Sequence, residues 1–193
     1  GIDSVKYDVI VCPHCGYGAL SRFFSYMTTH QAKLIHDNIS VNFKGLAPTG
    51  DTYTYDDAIT RYKLALLNTV VKKAKVSERA YTCLKLAWLY RGKAENLKPD
   101  EADYAKKKEE CAKAEKEMLA NAYEGFMMSV SKENFPICGM DETTLDYLMA
   151  NLAKQIGKID EASRIVSRIL VSKTANPKIK DKARDLKESL KTK

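Results

Sequence analysis

The sequence lacks any apolar run that could cross a membrane, and it lacks the cysteine pattern typical of secreted proteins. A membrane-spanning helix needs roughly 18 or more consecutive apolar residues, whereas charged residues make up 30% of this 193-residue chain and interrupt every apolar stretch. No secretory signal is visible. The cysteines are odd in number and scattered, which does not suggest a disulfide framework: they are Cys12, Cys15, Cys83, Cys111 and Cys138. We therefore expect a protein of the reducing cytoplasm with no membrane segment.

The sequence also lacks the residue sets of several common enzyme classes. It shows no Ser/His/Asp set, no phosphate-binding loop and no pair of catalytic carboxylates in one motif. His30 and His36 are six residues apart, so they do not share a helix face as metal ligands at i and i+4 would. These absences favour a non-catalytic protein. The alternative, an enzyme, rests on a single cysteine motif.

That motif is Cys-Pro-His-Cys-Gly at residues 12–16, and it follows a strand-like apolar run at residues 7–11. Two thiolates at this spacing can bind one zinc ion, as in the turns of zinc ribbons, and Gly16 permits the left-handed backbone that directs amides toward sulfur. Alternatively, a Cys-x-x-Cys pair at a helix N-terminus has a lowered thiol pKa and can carry out thiol–disulfide exchange. The first interpretation makes Cys12 and Cys15 metal ligands, and the second makes the protein an oxidoreductase.

The residues around the motif favour the metal site. A thioredoxin-like fold needs a strand–helix–strand core with further strands after the motif, but the apolar spacing after residue 16 is helical. Zinc sites have four ligands, so Cys12 and Cys15 supply half of one, a partial zinc knuckle. We expect the missing pair upstream in a longer native protein, and His14, Cys138 or a second chain are the other candidate ligands.

Helical periodicity dominates the rest of the chain. Apolar residues recur at i, i+3, i+4 and i+7, and this spacing predicts at least five helices between residues 56 and 193. We expect Trp88 to be buried between helix pairs because Ala80 and Leu84 share its face. A loop rich in Gly, Pro and Thr at residues 45–56 separates two predicted domains. These are residues 1–44, with the knuckle and N-terminal helices, and residues 56–193, a helical domain.

Individual helix boundaries are predicted from capping and breaking residues. Residues 20–27 have the apolar spacing of a helix, and Thr28 with Gln31 forms a capping-box signature for the next one. Asp56 and Ser77 are candidate N-caps, the Pro-Asp pair at residues 99–100 begins a long helix, and Gly157 ends another. The fold class is therefore mainly α with one short N-terminal strand.

A helix hairpin around residues 157–160 resembles a tetratricopeptide repeat, whose period is roughly 34 residues. Ala150 occupies the small position of its first helix, and Gly157 and Ala162 match the repeat's connection. Residues 57–66 resemble the second helix of another repeat. The first helix lacks the expected aromatic residues, so the repeats are degenerate. This resemblance implies antiparallel helix pairs that stack and present a concave surface for peptides or proteins.

Four strings are similar to an uncharacterised bacterial family, domain of unknown function two-two-two-five. They are YDVIVCPHCGY at residues 7–17, RYKLALLN at 61–68, AYTCLKLAWLYR at 80–91 and FPICGMD at 135–141. The resemblance spans most of the chain and implies an earlier Cys-x-x-Cys pair, with the two pairs forming a ribbon-like metal site. It implies no known activity.

The charge distribution suggests a further alternative. The chain carries a net charge of +7, and residues 172–193 are strongly basic, which is a feature of nucleic-acid-binding proteins. However, apolar residues form a stripe through this segment, so its lysines fit the solvated face of a docked helix better. The stripe consists of Ile179, Ala183, Leu186 and Leu190. No aromatic residues lie among the basic ones, so nucleic acid is an unlikely partner.

We interpret the sequence as a non-catalytic helical scaffold that binds a protein or peptide of unknown identity. The concave face would be lined by helices at residues 77–91 and 143–156. Polar residues expected to be exposed on this face would favour a carboxylate or an acidic peptide; they are Lys85, Arg91, Asn151, Lys154 and Gln155.

Overall fold

The computed structural model describes residues 3–191, which fold into seven α-helices and one short β-hairpin. The hairpin pairs β1 (Val9–Val11) with β2 (Gly18–Leu20) in antiparallel register, so that Val9 lies opposite Leu20. Three 3-10 turns occur at residues 4–7, 21–23 and 40–42. The helices are α1 (Thr29–Asn38), α2 (Tyr55–Val71), α3 (Val76–Asn96), α4 (Tyr104–Lys132), α5 (Glu142–Gln155), α6 (Ile159–Val171) and α7 (Pro177–Lys191). None of them has both the length and the apolar content needed to cross a bilayer.

The prediction of a mainly helical protein is confirmed. Six helices, α2 to α7, lie in the region where at least five were predicted. Thr28 begins α1 with the predicted capping box, in which its side chain and that of Gln31 each accept a backbone N–H. Gly157 lies between α5 and α6 with φ +85°, the left-handed conformation that glycine favours at helix ends.

Three predicted helix starts differ from the structure. Ser77, a predicted N-cap, lies inside α3, which begins at Val76 directly after Lys75. Thr54 rather than Asp56 caps α2, because Thr54 and Asp57 form a complete capping box. The long helix α4 begins at Tyr104, after turns at residues 99–103 and a left-handed Asp103 at φ 57°. The Pro-Asp pair at residues 99–100 therefore lies in the turn that precedes the helix rather than in its first residues.

The prediction of a helix over residues 20–27 is wrong. Residues 18–20 form β2, and only a single 3-10 turn follows at residues 21–23. All three residues of β2 are buried, so the strand has no alternating pattern that would reveal it. The strand packs closely at Gly18, where a Cβ would lie 3.2 Å from a side-chain methyl of Val11.

Two large apolar clusters hold α2 to α7 and the hairpin together, and a third packs α1 against the hairpin through Ala19 and Ile35. The larger of the first two joins α3 and α4 to α5, α6 and α7, and it includes Phe126, Leu145 and Ile169. The smaller of the first two joins the hairpin to α2 and α3 through residues that include Tyr62 and Leu89. α7 docks through Ala183 and Leu186, which are buried, as its apolar stripe predicted.

The prediction that Trp88 is buried is wrong, since 36% of this residue is exposed. Its neighbours on α3 face two different partners. Ala80 and Leu84 pack into the larger cluster, whereas Leu86 and Leu89 pack into the smaller one. α3 is therefore packed on two sides. Trp88 belongs to neither cluster and lies on the part of the helix that solvent reaches.

Candidate functional site

The cysteine motif forms the turn of the β1–β2 hairpin. The Cys12 N–H donates to the Tyr17 carbonyl at 2.7 Å, and the Gly16 N–H donates to the Cys12 carbonyl at 3.1 Å. Gly16 has φ +74°, a conformation that other residues adopt only with strain. These bonds close a tight turn that brings the Cys12 and Cys15 thiols close enough to affect each other's pKa.

The two thiols are in different electrostatic environments. The pKa of Cys12 is lowered, first by the backbone N–H of His14, then by the backbone N–H of Cys15 and by the Cys15 thiol. The pKa of Cys15 is raised, mainly by burial and also by its proximity to Cys12, although the Tyr17 N–H and the Ser40 hydroxyl oppose the rise. Cys12 therefore ionises first, and donors directed at sulfur stabilise its thiolate.

Asn68 on α2 fixes the position of this turn. Its Nδ2 donates to the Gly16 carbonyl at 3.0 Å and to the Leu64 carbonyl at 2.9 Å. The Asn68 side chain is fully buried, and its Oδ1 has no hydrogen-bond partner. The ring of Phe43 covers the other side, where a Cβ on Gly16 would lie 2.6 Å from a ring carbon. No pattern in the sequence indicated that Asn68 and Phe43 support the turn, since both contacts are long-range.

A buried ion pair lies beside the turn. Lys72, at the end of α2, and Glu78, in α3, bring Nζ and Oε1 to 2.7 Å, with the Lys72 side chain 0% exposed. The two groups are not aligned for a hydrogen bond. The Lys72 ammonium also lies 5.4 Å from the centre of the Tyr17 ring. Burial, together with the Glu78 charge, raises the pKa of Tyr17 to about 12, so Tyr17 stays neutral and donates its hydroxyl to the Phe24 carbonyl at 2.7 Å.

The other candidate metal ligands do not join the cysteines. The His14 side chain is exposed. Cys138 lies on the loop between α4 and α5, where its Sγ is 3.5 Å from the Ser77 carbonyl oxygen. Across residues 3–191, no group of three or more His, Cys, Asp or Glu side chains is arranged to hold a metal ion. The described residues therefore bring two thiols together without a third candidate ligand.

The five residues predicted to form a binding surface are only partly brought together. Arg91 donates to Gln155 at 2.5 Å, and Gln155 donates to the Asn151 carbonyl at 3.3 Å. Arg91 and Gln155, but not Asn151, line a groove of about 320 Å³ together with Glu115. Arg91 is already paired with Glu115 at 2.6 Å.

The remaining two residues of that set lie apart from the groove. Lys154 donates to the Ser189 hydroxyl of α7 at 2.8 Å. Lys85 forms an ion pair with Asp8, which directly precedes β1. The prediction that Lys85 is exposed is wrong, because only 16% of its side chain is accessible and it joins α3 to the hairpin.

A larger cleft, of about 820 Å³, was not predicted. It lies between residues 22–31, the first turn of α3 and residues 133–139, and none of residues 12–18 lines it. The capping box of α1 and the FPICGMD string at residues 135–141 were visible in the sequence. Their proximity to the start of α3 depends on tertiary packing, so no local signal could have revealed the cleft.

Together these features define a mainly helical protein with a paired-thiol hairpin docked against its second helix. The chain belongs to the DUF2225 family, described as an uncharacterized protein conserved in bacteria, whose family model matches residues 1–190. The family resemblance drawn from the four strings is thereby confirmed. Comparison with curated proteins and with solved structures gave no match.

Proposed function

We propose that the protein is a non-catalytic cytoplasmic scaffold, in which tetratricopeptide-like helix pairs bind a protein or peptide and the N-terminal hairpin supplies half of a zinc site. The observation that carries the metal assignment is the convergence of Cys12 and Cys15 on one tight turn, with backbone N–H groups directed at sulfur. Zinc binds thiolates rather than thiols, and these donors stabilise the charged form.

The hairpin setting favours a metal ligand over a redox catalyst. Redox Cys-x-x-Cys motifs gain reactivity at a helix N-terminus, whereas this motif occupies the turn between two strands. When bound, zinc would be held by Cys12 and Cys15 and would act structurally, by tying the turn to further ligands. Those ligands would come from another part of a longer protein or from a second chain, because residues 3–191 provide no third one.

The scaffold assignment is supported by the order in which the helices pack. Neighbouring helices along the chain from α2 to α7 pack on one another, with the most extensive contact between α3 and α4. Consecutive helix packing of this kind is the architecture of helical-repeat binding proteins. The groove at Arg91 and Gln155 is one candidate contact surface on this scaffold.

Thiol–disulfide exchange is the second candidate, favoured by the lowered pKa of Cys12 and the nearby Cys15 thiol. One pair of assays separates the two functions. The metal-site proposal expects zinc, measured by elemental analysis after exhaustive dialysis, to fall in Cys12→Ser and Cys15→Ser but not in Cys83→Ser. It also expects no catalysis of insulin reduction by dithiothreitol. Insulin reduction that disappears in Cys12→Ser, together with zinc-free protein, would establish the redox function instead.

A further inference from the structure

The 820 Å³ cleft combines cations, carboxylates and apolar side chains, and its carboxylates are already occupied. Glu133 accepts from the Ser77 N–H at 3.0 Å through one oxygen and from the Ser77 hydroxyl at 2.6 Å through the other. It thereby caps α3 from a distant part of the chain. Glu78 is paired with the buried Lys72. Neither carboxylate forms an ion pair with Arg22 or Lys75, and Glu133 keeps its negative charge because both of its donors belong to the neutral Ser77.

The two cations of the cleft are Arg22 and Lys75, both exposed. Within residues 3–191, neither side chain forms an ion pair or a hydrogen bond. The Arg22 guanidinium lies 5.3 Å from the ring centre of Phe23 and 5.2 Å from that of Tyr81. Cation–π contact with two rings favours this position of the guanidinium and leaves its N–H donors free for a carboxylate.

Apolar surface lies next to these cations. Tyr26 and Met27 line the cleft and are 76% and 38% exposed. Exposed aromatic and methionine side chains are enriched at protein interfaces. The cleft thus offers unpaired positive charge beside an apolar contact area.

We propose that this cleft binds an acidic peptide segment of a partner protein, with carboxylates held by Arg22 and Lys75 and an apolar side chain against Tyr26 and Met27. Charge complementarity favours this occupant, because the two exposed cations of the cleft, Arg22 and Lys75, have unused donors, whereas Glu133 is engaged by Ser77 and Glu78 by Lys72. The guanidinium of Arg22 would pair with one carboxylate through two parallel N–H donors. This proposal rests on the scaffold function and places its contact surface away from the Arg91 groove.

The test uses two displayed libraries of random heptapeptides, one with two fixed glutamates and one with glutamines at the same positions. Peptides selected by the wild-type chain are then measured by fluorescence anisotropy against Arg22→Gln/Lys75→Gln. The control is Lys106→Gln/Lys113→Gln, since these lysines are exposed on α4 and form no ion pair. Tyr26→Ala tests the apolar contact, and circular dichroism verifies that all variants fold.

We expect selection from the glutamate library only, and a loss of affinity of roughly 10-fold or more in the Arg22/Lys75 variant, because charge-assisted hydrogen bonds are removed. The lysine control should bind like the wild type. If the selected peptides bind the Arg22/Lys75 variant with unchanged affinity but do not bind Arg91→Ala/Gln155→Ala, the cleft is not the peptide site. That result would contradict this proposal but not the scaffold function. Selection from neither library would overturn both.

Discussion

At the residue scale, Gly16 is the position where backbone geometry and packing both require a glycine. Its φ of +74° and the Phe43 ring at 2.6 Å from a built Cβ act together. Gly45 has a similar φ of +88° but open space around it. A substitution at Gly45 therefore measures the cost of backbone strain without a clash. The cysteine turn thus depends on a residue that carries no chemistry of its own.

We predict that Gly16→Ala lowers the free energy of unfolding by more than Gly45→Ala does. Left-handed strain costs about 1–2 kcal/mol at either position, and the clash with Phe43 adds roughly 1–3 kcal/mol at Gly16. Urea denaturation measures both. Equal losses for the two variants would mean that Phe43 does not confine the turn.

The Lys72–Glu78 pair predicts an asymmetry between its two partners. Glu78→Gln leaves the Lys72 ammonium buried without a counter-charge, and loss of one partner of a buried pair costs about 3–5 kcal/mol. Lys72→Met leaves the Glu78 carboxylate, which lines the cleft and can be hydrated there. We therefore expect Lys72→Met to be the less destabilising variant in urea denaturation, and the reverse order would contradict the assigned burial.

The two cysteines should differ in their reaction with iodoacetamide. The thiolate is the nucleophile, so the alkylation rate of each cysteine rises with pH around the pKa of its thiol. Because the pKa of Cys12 is lowered and that of Cys15 is raised, the rate for Cys12 should rise at a lower pH than the rate for Cys15. Peptide mapping by mass spectrometry across a pH series measures both midpoints. A lower midpoint for Cys15 would show that the amide donors do not act on Cys12.

At the scale of elements, the central contact is the crossing of α3 and α4. A Cβ on Gly125 would lie 2.7 Å from the Ala80 Cβ, so these helices approach as closely as a glycine allows. The apolar spacing predicted both helices, but it could not predict this contact. A small residue on a helix face is uninformative until its neighbour is known.

Gly125→Ala should therefore destabilise the protein, although the same change in an exposed helix stabilises it by about 1 kcal/mol. Ala80→Gly in the Gly125→Ala background should recover part of the loss, because it removes the clashing methyl group. We expect a coupling of roughly 1 kcal/mol between the two sites in a thermal or urea double-mutant cycle. Additive effects would place the tight contact elsewhere.

At the scale of the whole molecule, the sequence predicted the features that repeat locally and missed those that depend on distant contacts. The helices, the cysteine turn and the family followed from spacing and from contiguous strings. β2 was missed because three consecutive buried residues have no period. Trp88 was misplaced because α3 packs on two sides, and the cleft joins three segments that are far apart in the chain.

The central claim is that Cys12 and Cys15 act as paired metal ligands. Cobalt(II) titrated into the reduced chain tests it most directly, because cobalt reports thiolate ligands through charge-transfer absorption. The structure predicts a thiolate–cobalt band that disappears in Cys12→Ser and in Cys15→Ser and persists in Cys138→Ser. Saturation should come below one metal per chain, because the described residues would supply only two of the four ligands that zinc-type sites use. Absence of the band, or a band that survives the loss of Cys12 or Cys15, would contradict the claim.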